Sequence, residues 1–377
     1  MTKPPLTRDP AEVLESLRRT LEAKKEAIPP ETSQYSPKQS AAVIQLSRIA
    51  DSSPSLKEAV PKEENYKPLT RAQNKLLDAS VAIFAEPATT KDAAFMAREL
   101  VQTSLPHKNP GNIPAWTRTN GNLTFAIQAG YNIEKKESYG YPYGIIPRLL
   151  LFWITTEAAK TKSRRLELGH SLSGFMVELG LIPSSAGAGK RSDAKRLRDQ
   201  MDRLFQGKFS FHTHQQDKSR DGHAWLNMEI APKGELWWSL KDPQHAALWG
   251  SWIELGEDFF VAITAAPVPL DMRALKALKR SPLALDLYSW LTYEAFRAHK
   301  SGKPRYETWE QLHSHMGGEY RQLNDFRRKA KAALRKIKVV YPGLKLGKKQ
   351  GGIEILSESY PALQPRHVTI DGTCKTL

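Results

Sequence analysis

The 377-residue chain carries 56 Lys and Arg against 40 Asp and Glu, a formal charge of +16, which points to a polyanionic partner, while its length suits two domains with appendages. The apolar run Leu149–Ile154 is far too short to cross a bilayer and the start, MTKPPLTRDP, lacks the apolar stretch of a signal peptide, so no membrane partner and a cytoplasmic protein are expected. The one cysteine, Cys374 in a polar tail, leaves no disulfide framework and no thiolate metal site.

Residues 1–66 hold eight prolines, no Trp and no Phe, a composition that does not offset its own ordering entropy, and they read as a disordered arm. Within it Val13, Leu14, Leu17 and Leu21 recur at helical spacing after Asp9, so a short amphipathic helix over Pro10–Ala27 that docks a partner is the alternative. A folded domain begins at Lys67. Arg71–Phe84 and Thr90–Val101 are predicted helices separated by Pro87, and Asn120-Gly121 among the strand-like residues of Trp116–Tyr131 predicts a hairpin with a type I′ turn.

One order of elements then occurs twice. The first copy runs helix (Pro147–Lys160), strand (Arg165–Leu168), short helix (Ser171–Leu179), glycine-rich turn, long helix (Ser192–Phe205) and hairpin (Lys208–Ile230). The second runs helix (Pro282–His299), strand (Arg305–Glu307), short helix (Thr308–Met316), a turn at Gly317 and Gly318, long helix (Arg321–Lys338) and hairpin (Val339–Leu356). Both opening helices have Pro in the first turn and carry Trp-aliphatic-Thr, as Trp153-Ile154-Thr155 and Trp290-Leu291-Thr292. This order is that of a winged helix, a helix-turn-helix variant whose hairpin is the wing. The expected fold class is α+β: tandem winged-helix domains over 67–235 and 245–358, behind the disordered N-terminal arm and before a tail over 359–377. Lys233–Gln244 is a polar connection, and a further strand and helix over Trp252–Thr264 and Asp271–Lys279 open the second domain.

In the second long helix, Leu323, Phe326, Ala330, Ala333, Leu334 and Ile337 fall on one face and pack inward. The opposite face presents Asn324, Arg327, Arg328, Lys331, Arg335 and Lys338, and Gly318–Lys349 holds eleven basic residues against two acidic ones. A merely solvated helix face usually mixes both signs, so this one is assigned to DNA, with Lys345, Lys348 and Lys349 as wing residues on the flanking phosphates. The first long helix is more mixed: Arg191, Lys195 and Arg198 face outward among Asp193, Asp199 and Asp202, and its wing adds Lys218 and Arg220. Two helices entering successive major grooves predict a site of about 20 base pairs. About eight neutralised phosphates predict a log-log salt slope near about −7.

Three patterns suggest other chemistry. Gly187–Lys190 looks like the end of a phosphate-binding loop, but Ser184 stands where a glycine is required and Arg191 where Ser or Thr should follow the lysine. His212-Thr213-His214 puts two imidazoles on one strand face, as in metal-dependent rolling-circle nickases, with His223 facing them; the centre is Thr rather than an apolar residue. Trp237, Trp238, Trp249 and Trp252 suit stacking on single-stranded bases or an interface core. No catalytic residue, metal ligand or cofactor is assigned, and a non-enzymatic protein is expected.

Residues from about Trp116 to Leu356 resemble plasmid-encoded RepA replication initiators. The matching stretches are Thr119–Thr124, Tyr143–Leu150 with Trp153, Thr156–Ala158, Arg196–Met201, Trp249–Ser251, Pro269–Asp271 and Leu275–Trp290. The resemblance implies a protein that binds repeated duplex DNA sites at an origin, promotes local opening, and works with the host replicative helicase and host initiator. It also implies a homodimer, formed through the first winged-helix domain, that represses its own promoter. A winged-helix transcriptional regulator is the nearest competing reading, and a nickase using His212 and His214 the competitor from another class.

Overall fold

The computed structural model describes residues 69–183, 193–217, 220–238, 250–317, 319–363, 367–370 and 373–376, with backbone alone at 214–217, 220–222, 367–370 and 373–376. The predicted arm, Arg191, Lys218, Trp249 and the Gly187–Lys190 pattern lie outside these residues, as does the side chain of Arg220. The chain divides into two units, Met1–Asn74 and Lys75–Leu377.

Helix α1 spans Arg71–Ala85. The single helix predicted over Thr90–Val101 is instead a 3-10 turn (Thr90–Asp92), strand β1 (Ala93–Met96) and helix α2 (Arg98–Gln102). Long-range pairing overrides the local helical pattern: β1 pairs antiparallel with a distant strand over Val268–Asp271, from Ala93 opposite Asp271 to Met96 opposite Val268, and buries Ala94 and Met96 at period two. Strands β2 (Trp116–Asn120) and β3 (Leu123–Gln128) form the predicted hairpin. Its loop residues are Gly121 and Asn122, and of these only Gly121 has positive φ, at 56°, which corrects the type I′ turn at Asn120-Gly121 to type II′ one residue on. A short hairpin of β4 (Tyr131–Asn132) and β5 (Glu137–Ser138) follows.

The duplicated element order is present except for the first strand of the second hairpin. The first copy is α3 (Ile146–Thr161), β6 (Arg165–Gly169), α4 (Leu172–Glu178), α5 (Asp193–Phe205), β7 (Lys208–Asp217) and β8 (Arg220–Glu229). Then come β9 (Lys233–Glu235), β10 (Ser251–Glu254), α6 (Glu257–Ala265), β11 (Val268–Asp271) and α7 (Met272–Leu278). The second copy is α8 (Pro282–Ser301), β12 (Arg305–Thr308), α9 (Trp309–Met316), α10 (Leu323–Val340) and β13 (Gly352–Ile355). Strands β14 (His367–Ile370) and β15 (Thr373–Thr376) pair in the tail. The protein is thus α+β, with several small antiparallel sheets.

The hairpin predicted over Val339–Leu356 is largely absent. Helix α10 runs on to Val340, and the one regular strand, β13, pairs with β12, helped by a bridge between Leu346 and Ile355. The copies differ in where the short strand goes. In the second, β12 pairs with β13 of its own copy; in the first, β6 pairs with β10, and β7–β8 extend the β2–β3 hairpin into a four-stranded sheet. Strands from either side of the predicted 235/245 boundary therefore share sheets, and one contiguous core includes residues of both copies.

A buried ionic cluster joins the copies. Arg148 in the first turn of α3 is 2% exposed and makes two bonds to Asp286 of α8, Nε to Oδ1 and Nη2 to Oδ2, both 2.7 Å. Its remaining N–H groups reach the carbonyls of Leu105, Pro106 and Gly144. His107 Nε2 lies 2.8 Å from Asp286 Oδ2. The His107 backbone N–H and Arg118 Nη2 both donate to Glu319 Oε1, at 3.0 and 2.7 Å, and Glu319 sits between α9 and α10. Burial alone would raise the Asp286 carboxyl, but the Arg148 guanidinium and the His107 hydrogen bond hold it well below the usual carboxylate range. Removing one partner from such a cluster costs about 3–5 kcal/mol, because the other charge stays buried and uncompensated.

Candidate nucleic-acid interface

The second copy builds a basic surface on a fixed base. Helix α9 begins with a capping box in which Thr308 Oγ1 accepts from Gln311 N and Gln311 Oε1 accepts from Thr308 N. The turn to α10 requires glycine at 317, where a Cβ would lie 2.4 Å from the Phe326 ring. Phe326, Ala330, Ala333 and Ile337 are buried as their spacing predicts, with Leu323 and Leu334 partly so. His313 and Tyr320 pack on the Phe326 ring, and the His313 side chain bonds Tyr320 O at 2.8 Å. His315, 1% exposed, faces inward, and burial pushes its imidazole down to about 3.

With that face buried, Asn324, Arg327, Arg328, Lys331, Arg335 and Lys338 are all exposed. Arg328 pairs with Asp325 at 3.0 Å. Arg327 and Lys331 each stand 5.9 Å from the ring of Trp309, the first residue of α9, which is itself only 5% exposed. Lys345, Lys348 and Lys349 are exposed on the segment between α10 and β13. Although it lacks a first strand, this segment is tied down by bonds from Gly347 N to Glu354 O and from Leu356 N to Lys345 O, and Ser359 Oγ bonds both N and O of Lys345. Lys349 Nζ lies 4.0 Å over the Tyr306 ring. The sequence reading missed Tyr306 and Trp309 as supports, since no periodicity relates β12 to the segment between α10 and β13.

The first copy disposes its charge differently. Ala194, Leu197, Met201, Leu204 and Phe205 of α5 are buried as predicted, and Gln200 joins them, accepting from Tyr143 N at 2.8 Å. Outside, Arg196 pairs with Asp193 at 2.9 Å and Arg198 with Asp202 at 3.7 Å, while Lys195 is exposed. Lys208 on β7 pairs with Glu229 on β8 at 3.6 Å.

In the β7–β8 ladder His212 is opposite Trp225 and His214 opposite His223; the His223 ring stacks on Trp225 at 5.2 Å. Among the described residues no three His, Cys, Asp or Glu side chains come together as a metal site. Trp238 is buried, with Nε1 donating to Gly169 O and its ring 5.2 Å from that of Phe175, so it belongs to the core. Trp237 is exposed, and Trp252 lies under Arg165 at 4.0 Å. Among the described residues no helix is long and apolar enough to cross a membrane.

Residues 141–311 match the family model described as plasmid encoded RepA protein, so the resemblance read from Tyr143–Leu150 and the stretches after it holds over that span. The match ends within α9, and α10 and β13 lie beyond it. No curated protein sequence matches the chain. Two crystal structures of RctB are similar in shape. One, of domains 2–3, has a TM-score of 0.39 at 12% identity, covering 68% of this chain and 94% of that one. The other, a selenomethionine derivative of domains 2 and 3, has a TM-score of 0.41 at 11% identity, covering 69% and 97%.

Proposed function

We propose that the protein is a plasmid replication initiator that binds duplex DNA through two winged-helix modules, with the second as the main reader. The observation that carries this reading is the strongly basic outer face of α10, where Asp325 is the one acid, followed in the chain by three exposed lysines and backed by an apolar stripe buried at Phe326, Ala330, Ala333 and Ile337. Such a helix can lie in a major groove with Asn324, Arg327 and Arg328 near its N-terminal end towards the bases, while Lys345, Lys348 and Lys349 take flanking phosphates. The family match over residues 141–311 supplies the replication context.

In this mechanism binding and deformation act without a covalent step. The Arg148–Asp286 pair and the shared sheets hold the copies together, so both modules meet the duplex as one body. Adjacent molecules bending repeated sites would concentrate strain in a neighbouring A·T-rich tract, where opening costs least. Dimerisation through the first module, repression of the protein's own promoter, and recruitment of the host helicase and host initiator belong to the same proposal and rest on the resemblance alone. The test is binding to the replicon's own origin repeats against random duplex across a salt series. Preference for the repeats with a slope near about −7 supports the proposal; equal, weak binding to all DNA sinks it.

A further inference from the structure

We propose that Tyr306 is the positioning residue of the second wing: it holds Lys349 and the Gln350–Gly351 backbone in the conformation that meets a phosphate. This rests on the duplex-DNA reading above and adds a residue that the charge pattern does not mark. Two contacts converge on it. Lys349 Nζ lies 4.0 Å over its ring, and its hydroxyl donates to Gln350 O at 2.7 Å. The next residue, Gly351, turns the chain with a φ of 85°, and a Cβ there would lie 3.0 Å from the Tyr306 hydroxyl, so the turn leaves room for the hydroxyl only with glycine at that position.

The surroundings fix Tyr306 in turn. It lies on β12 opposite Glu354 of β13, and Glu354 Oε2 accepts from Lys349 N at 3.3 Å. Gly351 O accepts from Trp309 N at 3.0 Å, tying the wing to the start of α9. A free lysine has many rotamers to lose on binding an anion. A lysine already laid over a ring has fewer, and the cation–π contact leaves part of its ammonium open to a phosphate oxygen.

The test uses the full chain and a random-sequence duplex titrated against salt. Lys349→Ala is expected to make the slope less negative by about 0.9, one phosphate contact. Tyr306→Leu is expected to do the same with an affinity loss of about 3–10-fold, and the double variant to add nothing, because Tyr306 acts through Lys349. A wild-type slope in Tyr306→Leu, or additive losses in the double variant, would overturn the proposal. Tyr306→Phe decides the matter if the leucine variant fails to fold: lower affinity at the wild-type slope supports the proposal, and wild-type affinity overturns it. Absence of salt-dependent duplex binding in the unmodified protein would instead be a failure of the DNA reading itself.

Discussion

Helices α5 and α10 occupy the same place in two copies of one element order, and both bury an apolar stripe that leaves a charged face outside. On α5 that face neutralises itself, through Arg196 with Asp193 and Arg198 with Asp202. On α10 acid enters only at Asp325, which takes Arg328, while Arg327 and Lys331 lean on Trp309. The scaffold thus sets where a helix is displayed and a few carboxylates set what it can bind. A duplicated module can keep its packing while only one copy keeps a strongly basic surface.

The largest expected effect concerns what joins the copies. Asp286→Ala leaves Arg148 buried without its carboxylate and is expected to cost about 3–5 kcal/mol in urea denaturation. A loss below about 1 kcal/mol would mean that the two copies are coupled by their sheets and apolar core rather than by this cluster.

Acid tests the buried imidazoles. Burial pushes the imidazoles of His107 and His315 down, that of His315 to about 3. In the unfolded chain a histidine titrates near about 6.5, so below that pH the unfolded state takes up the proton first. The contribution is full above about 6.5 and is lost as pH falls through the folded value, at up to about 1.4 kcal/mol per pH unit for each group. His315→Gln is expected to remove one group's share of the slope of stability between pH 6 and pH 4, about 1.4 kcal/mol per pH unit. A slope unchanged by that substitution would place the acid sensitivity elsewhere.

A smaller effect sharpens the contrast between the helices. Asp193→Asn with Asp202→Asn frees Arg196 and Arg198 and is expected to make the salt slope for duplex DNA more negative, by at most about 1.8. No change would mean that α5 does not face the duplex, whatever its charge.

How much of this was legible in the sequence follows from the range of the interactions. The stripes of α5 and α10 are written at steps of three and four, so Phe326, Ala330 and Ile337 could be placed before any coordinates. The element order was legible for the same reason. The β1–β11 pair was not: Ala93 and Asp271 are distant in sequence, and the local pattern over Thr90–Val101 favours a helix. Arg148 could not be recognised as buried either, because nothing in a basic residue of the first turn of a helix announces a carboxylate on another helix. The second wing was overread, since glycines and lysines after α10 suggest two strands where loop bonds to Glu354 and Ser359 serve for one of them.

That α10 is the main reader of the duplex, and α5 the lesser one, is tested most directly by the salt dependence of binding to the replicon's origin repeats in two paired variants. Arg327→Ala with Arg328→Ala is expected to abolish preference for the repeats and to make the slope less negative by about 1.8. Arg196→Ala with Arg198→Ala is expected to leave the preference intact and to shift the slope by less than about 0.9. The reverse ranking, with preference lost in the α5 variant and kept in the α10 variant, would contradict the account.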